Sequence, residues 1–199
     1  MGSGKSAVLG WLGELGAACL RADDASRELL GGDVRLLGSV REQLGDGVFR
    51  PDGSLDRAGT AALIFADEAA RQRLEGVLHG PMVCWLARRI EALRDGPCPP
   101  PLVAVEAAIL THMGGRGLVD AVVRVAAPRA QCLARIQARD GITAQEAAAR
   151  MALHQRLGLF DEPADHVIDT SGSPEQTRAQ VVALWNQLVP DRRCEGHES

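Results

Sequence analysis

Gly2, Ser3, Gly4, Lys5 and Ser6 stand in succession at the start of the chain, in residue types and an order suited to holding a polyphosphate. The two glycines let the backbone take conformations that bulkier residues resist, so that successive N–H groups can point at phosphate oxygens. Lys5 supplies a cation for the β- and γ-phosphates of a nucleoside triphosphate. The Ser6 hydroxyl stands where it can complete the coordination of Mg²⁺, and a helix beginning there adds a favourable N-terminal dipole. The run is the second half of the GxxxxGK[ST] pattern, which hangs between a buried strand and a helix. Read alone, a glycine- and serine-rich start is also what a tag or linker leaves behind.

Two further groups of residues bear on the same chemistry. Arg21-Ala22-Asp23-Asp24 follows a short apolar run, and a carboxylate at the end of a strand can orient a substrate hydroxyl or a magnesium-bound water for phosphoryl transfer. Asp is also favoured as a helix N-cap, a role that suits Asp24 better than Asp23. Farther on, Gln131, Arg135, Arg139 and Asp140 are followed by Arg150 and Gln155. Arg135 and Arg139 are four apart and share a helix face, so both guanidinium groups could clamp a triphosphate. Two such arginines are more often simply solvated; a preceding phosphate loop is what raises the reading of a lid.

The elements that must position these groups alternate. After Ser6, Val8, Leu9, Leu12 and Leu15 recur at helical spacing up to Gly16, and Ala17 to Leu20 reads as a short buried strand. Helices are expected over Asp24 to Leu30, Val34 to Leu44, Arg57 to Phe65 and Asp67 to about Leu93, the last either continuous or broken at Gly80-Pro81. Turn signals lie at Gly45-Asp46-Gly47 and Pro51-Asp52-Gly53. Leu102 to Val105, Ala121 to Val125 and His166 to Ile168 read as strands, with a helix over about Ala130 to Arg139. Thr143 with Glu146, and Ser173 with Gln176, are capping-box pairs, the second with Pro174 at the first helical position. Residues 190–199 are polar and are expected to fray. The alternation predicts an α/β fold, a parallel sheet with helices on both faces and ligands beyond the strand C-termini.

Composition narrows the class. The 199 residues, 46% of them hydrophobic, suffice for one sizeable core and not for two ordinary domains. A net charge of −4 argues against a broad nucleic-acid-binding surface, which would carry a basic excess. Cys19, Cys84, Cys98, Cys132 and Cys194 are scattered without metal-ligand spacing, which fits a reduced cytoplasmic compartment. No apolar run approaches the ~18 residues of a membrane span, and no signal-peptide core is present. The expectation is a soluble cytoplasmic protein of undetermined oligomeric state.

Taken in order, these pieces resemble the dephospho-CoA kinase family over nearly the whole chain. Gly2 to Ser6 is similar to the end of its GGIGSGKS loop, and Ala22-Asp23 with Arg27-Glu28-Leu29 to its DAD segment and following helix. Asp52 to Arg57, then Phe65 and His79, resemble its dGxLDR, F and HP series. Gln131, Arg135, Arg139-Asp140, Arg150 and Gln155 follow its QxxxRxxxRD and RxxxxQ spacing, and Ala164 to Asp169 with Ser171-Gly172-Ser173 its ADxVIdNsGs ending. Each piece is weak to moderate in specificity; the shared order makes the set strong.

The resemblance implies a P-loop nucleoside-triphosphate hydrolase fold in one domain, 1–199. A helical insertion over about 34–93 would cover the acceptor, and a lid would span about 130–157. It implies transfer of the γ-phosphoryl group of ATP to the ribose 3′-hydroxyl of dephospho-CoA, with Mg²⁺ accompanying ATP and Ser6 as its protein ligand. The implied ATP-binding set is Gly2, Ser3, Gly4, Lys5, Ser6, Ala7 and Arg135. Lys5, Asp23 and Arg139 would be catalytic, with Asp23 orienting or deprotonating the acceptor hydroxyl. Arg57 and His79 are acceptor-side candidates, and His79 equally fits a packed helix histidine.

There are departures from the family pattern. Arg21 stands at the first aspartate of DAD, Gly80 at the proline of HP, and Val105-Glu106-Ala107-Ala108-Ile109-Leu110 at PLLfE. Glu106 either stands in for that acidic residue or does not; the sequence leaves both open. The family's first strand and first P-loop glycine have no counterpart. Loss of that central strand would leave buried backbone groups costing about 1–3 kcal/mol each, against roughly 5–15 kcal/mol of total stability. The expectations are therefore a weakly stable chain and a natural start about ten residues upstream, with Met1 at a position usually isoleucine. A nucleoside or nucleotide kinase of the same fold, and a degenerate nucleotide-binding protein without turnover, remain alternatives; no NKxD-type guanine motif supports a GTPase switch.

Overall fold

The computed structural model describes residues 2–156 and 163–189. The expected frayed tail at 190–199, the end of the expected lid at 157 and the role assigned to Met1 lie outside them. The chain divides into two compact units: Met1–Leu20, Leu93–Ala108 and Asp120–Ser199 form one, and Arg21–Ala92 with Ile109–Val119 form the other.

The first unit begins with helix α1, Lys5–Glu14, which buries Val8 and Leu12 four residues apart. Strand β1, Ala18–Arg21, follows and is paired with β2, Val103–Glu106. Their junction is fixed where the Ala18 N–H donates to the Leu102 carbonyl at 2.9 Å. A second pair consists of β3, Val123–Ala126, and β4, His166–Asp169, which run parallel with Val123 opposite His166 and Ala126 opposite Asp169. Parallel neighbours need a crossover of a dozen or more residues, and the segment between β3 and β4 contains two helices. The nearer is α6, Arg129–Asp140, which stops at Gly141 in the left-handed region. The other is α7, Ala144–Arg156. The terminal helix α8, Pro174–Leu188, starts from Ser173.

Val8, Leu12, Ile168, Val181 and Leu184 make the core of this unit, with Leu102, Ala104, Val123 and Val125 packed against it. Helices α1 and α8 therefore share one apolar core with residues from both strand pairs. Cys132, Ile136, Ala147 and Met151 form a smaller core between α6 and α7. The α/β class expected from the alternation is present, in the form of two two-stranded pairs among the described residues.

The second unit is helical. Helix α2 is Ala22–Gly32 and α3 is Val34–Leu44. The Asp33 carboxylate caps α3, accepting from the N–H groups of Arg35 and Leu36. Phe49 and Leu55 bridge antiparallel across the predicted Pro51-Asp52-Gly53 turn. Helix α4, Arg57–Ala66, and helix α5, Glu68–Arg94, complete the unit.

Of the two readings at Gly80-Pro81 the continuous helix holds: α5 runs through Pro81 without interruption. Proline removes one helical hydrogen bond and crowds the preceding turn. Leu74, Leu78, Met82 and Leu86, four apart and all buried, form an apolar seam on both sides of Pro81 that keeps the two halves on one axis.

Candidate active site

The phosphate-loop remnant is a tight turn feeding α1. Gly2 and Gly4 have φ of +72° and +88°, conformations that cost an L side chain about 1–2 kcal/mol. At Gly2 space is lacking too, since a Cβ there would come within 2.5 Å of the Cys132 carbonyl oxygen. The Gly4 carbonyl accepts from the Ala7 and Val8 N–H groups at 3.1 Å each and so starts the helix. Gly4 offers no side chain as a cap, and the first turn holds no acidic residue. The positive end of the helix dipole is thereby left to attract an external anion. Ser3 is buried, Lys5 half-buried, and Ser6 and Ala7 exposed.

Glu106 is the last residue of β2 and meets the phosphate-loop remnant. The Ser6 hydroxyl donates to its Oε1 at 2.7 Å. Two oxygen donors meet here, the kind of ligand Mg²⁺ prefers. Among the described residues no group of three or more His, Cys, Asp or Glu side chains could hold a metal ion by itself.

Helix α6 carries the arginines. Arg139 makes a two-pronged contact with Asp140, Nε to Oδ1 at 2.6 Å and Nη2 to Oδ2 at 3.1 Å. Arg150 reaches the same carboxylate at 2.9 Å. The hydrogen bond from Arg139 holds the Asp140 carboxyl below its ordinary pKa, and the charges of Arg139 and Arg150 add to the effect. In return the bond to Asp140 raises the Arg139 guanidinium pKa, with a contribution from the charge of Glu106. Arg139 is still 61% exposed, so its guanidinium edge faces solvent.

Arg135 is differently placed. Its Nη1 and Nη2 donate to the hydroxyl and the carbonyl of Thr170 at 2.9 and 2.7 Å, and Nη2 also reaches Gln131 Oε1 at 3.3 Å. Gln131 in turn donates to the Ser171 carbonyl at 3.1 Å. Gln155 accepts from Arg129 at 3.0 Å and ties α7 to α6.

In the helical unit, Asp23 is exposed in the first turn of α2. The N-cap of that helix is Arg21, not Asp24; Asp24 sits inside the first turn and pairs with Arg27 at 3.4 Å. Arg57 donates to the Arg27 carbonyl at 3.0 Å, joining α4 to α2. His79 is half-buried and meets His112 edge to face, ring centroids 5.6 Å apart. Burial lowers the pKa of His79; the charge of Glu75 opposes the shift, and His112 reinforces it. Glu75 lies 3.5 Å from His112 Nε2 and 2.6 Å from Nη1 of the buried Arg71.

Within the first unit, then, Gly2 to Ser6, Glu106, Arg135 and Arg139 are linked by contact or charge, and Asp23, Arg57 and His79 belong to the other unit. Thr170 and His112 escaped the sequence reading. Thr170 lies within the ADxVIdNsGs-like segment, at its asparagine position, and His112 in no such pattern; each acquires its partner only through the fold.

A glycine-lysine-serine turn on a helix N-terminus, beside parallel strands and an arginine-bearing helix, defines an α/β kinase of the P-loop class. The comparison with known proteins narrows this class. Residues 1–176 match the family model described as dephospho-CoA kinase. The dephospho-CoA kinase of Syntrophotalea carbinolica is 39% identical over 191 residues, covering 96% of this chain and 89% of that protein. That of Moorella thermoacetica is 37% identical over 186 residues, covering 94% and 87%. Among solved structures, TT1252 from Thermus thermophilus matches with a TM-score of 0.71 at 28% identity, covering 94% of this chain and 93% of that one. The dephospho-CoA kinase from Campylobacter jejuni matches in fold, with a TM-score of 0.65 at 19% identity over 95% and 93% of the two chains. The chain belongs to the dephospho-CoA kinase family.

Proposed function

We propose that this protein transfers the γ-phosphoryl group of ATP to the ribose 3′-hydroxyl of dephospho-CoA, giving CoA and ADP in the last step of coenzyme A synthesis. The observation that carries the reading is the Gly2 to Ser6 turn at the head of α1 with Ser6 bonded to Glu106, in a chain of this family. The turn and Lys5 bind the β- and γ-phosphates, and Arg139 balances charge on the migrating group. The acceptor O3′ attacks the γ-phosphorus as the bond to the ADP oxygen breaks. Asp23 orients the hydroxyl and takes its proton. Ser6 and Glu106 would hold a magnesium ion brought by ATP, whose charge would offset that of the phosphates.

Arg57 and His79 serve the acceptor side, with residues 34–93 as its cover and about 130–157 as the lid. Both substrates are small molecules, and the setting is the reducing cytoplasm, where Cys19, Cys84 and Cys98, all exposed, stay as thiols. Among the described residues no helix is long and apolar enough to cross a membrane.

ADP release from Mg-ATP, measured with dephospho-CoA and with nucleosides as acceptors, tests the proposal. Release that depends on dephospho-CoA is expected, and Lys5→Ala should lower kcat/KM by about 10²–10³, the loss of one preorganised charge donor. Release with nucleosides and none with dephospho-CoA would replace it with a kinase of another acceptor.

A further inference from the structure

We propose that Thr170, with Arg135 behind it, is a positioning residue for the phosphate-binding turn, and that Arg135 serves ATP through this brace rather than by touching phosphate. The inference rests on the reading of Gly2 to Ser6 as the ATP site.

Thr170 is 5% exposed and is the first residue after β4. Its hydroxyl lies 2.8 Å from the Ser3 carbonyl and 3.2 Å from the Ala126 carbonyl, and 2.9 Å from Arg135 Nη1. A hydroxyl has one proton to give, and a guanidinium can only donate. Arg135 therefore claims a lone pair of the threonine oxygen, and the single proton must go to a carbonyl. The Ala126 carbonyl already accepts the Thr170 N–H at 2.8 Å, whereas Ser3 is buried at 8% exposure and offers the shorter contact. The proton goes to Ser3.

The resulting relay runs from the Arg135 guanidinium to the Thr170 hydroxyl to the Ser3 carbonyl. Its far end is the peptide between Ser3 and Gly4, whose orientation sets where the following N–H groups point. The threonine γ-methyl completes the grip, lying 3.5 Å from the place a Cβ would take on Gly4. A second contact from the same helix bears on the turn, since the Cys132 carbonyl closes the space beside Gly2. Arg135 is itself held by its bond to the Thr170 carbonyl at 2.7 Å. A bond to a charged donor in a buried setting is stronger than a neutral one, so the brace is stiff at the end remote from the ligand.

The test is calorimetric titration of Mg-ATP together with steady-state kinetics on the full chain. Thr170→Val keeps the shape and removes the relay, leaving the Ser3 carbonyl without its donor and Arg135 Nη1 without its acceptor, while Nη2 keeps the carbonyl of residue 170. It should weaken ATP binding about tenfold, as expected for one unmade buried hydrogen bond, raise KM for ATP alike, and leave KM for dephospho-CoA within about twofold. Thr170→Ser, which keeps the hydroxyl, should restore most of the loss. Arg135→Gln should reproduce the ATP defect with the same selectivity, and Thr170→Ala, which also lacks the hydroxyl, decides the matter if the valine variant does not fold.

Parent-like ATP affinity in both Thr170→Val and Arg135→Gln, with affinity lost in Lys5→Ala, would overturn the brace and leave the ATP site standing. A defect shared equally between the two substrates, or one that Thr170→Ser does not relieve, would overturn it as well. Unchanged affinity in Lys5→Ala would remove the ATP site and the brace together.

Discussion

Single residues here do their work through what holds them. Asp140 gathers Arg139 and Arg150 on one carboxylate, and Glu106 receives the hydroxyl of the serine that follows Lys5. His79 gives the clearest pH dependence. Burial keeps its imidazole below the ordinary 6.5 in the folded chain, against the pull of Glu75 and with the help of His112. The unfolded chain then binds that proton more readily than the folded one between the two pKa values. The stability contributed by neutral His79 is complete above about pH 6.5 and is lost as the pH falls through the folded value. His79→Asn should therefore flatten the decline in stability as the pH falls below about 6.5, as read by urea unfolding. An unchanged decline would place the titrating group elsewhere. At this scale the sequence shows what is local: the glycines, Lys5, Ser6 and the spacing of Arg135 and Arg139 are visible as a pattern. The bond from Ser6 to Glu106 spans 100 residues and that from Thr170 to Ser3 spans 167; no periodicity encodes either.

Elements were legible wherever their own ends carry the signal. In α8 the Ser173 hydroxyl accepts from the Gln176 N–H while the Gln176 side chain closes back on the Ser173 N–H, with Pro174 in the first turn. The pair was readable because it is complete within four residues. Ser173→Ala removes one half of it and should cost about 1 kcal/mol, which thermal unfolding of the full chain would register as a lowered Tm; an unchanged Tm would show the cap to be redundant. Thr143 and Glu146 form the same reciprocal arrangement ahead of α7. Pro81 shows the opposite case. Its local chemistry argues for a break, and the buried seam from Leu74 to Leu86 overrides it, because tertiary packing outweighs the loss of one helical bond. Asp24 misled in a smaller way: its type suits an N-cap, but α2 begins three residues earlier, directly from the end of β1.

On the scale of the whole molecule, alternation of strands and helices was enough to give the α/β class, while the grouping of strands depends on pairings that no single strand specifies. Among the described residues each of the four strands has one partner. The Val122 and Ala126 carbonyls accept from the His166 and Thr170 N–H groups. Parallel pairing alternates along the chain, so Arg124 and Ala126 direct their N–H groups toward β4, and Val123 and Val125 direct theirs to the opposite edge. Amide exchange followed by NMR should find Val123 and Val125 faster than Arg124 and Ala126 by about tenfold or more. Equal protection at all four would reveal a further strand paired on that edge in solution. The bond between Ser3 and Thr170 has another bearing. A nascent chain emerges N-terminus first, so the residues of the phosphate turn leave the ribosome well before Thr170, 167 residues beyond Ser3. They cannot settle until Thr170 has followed, nor can α1 close its core until Val181 and Leu184 of α8 arrive. The turn is thus translated well before it can mature, and the newborn polypeptide gains its grip on nucleotide only once Thr170 and α8 have followed.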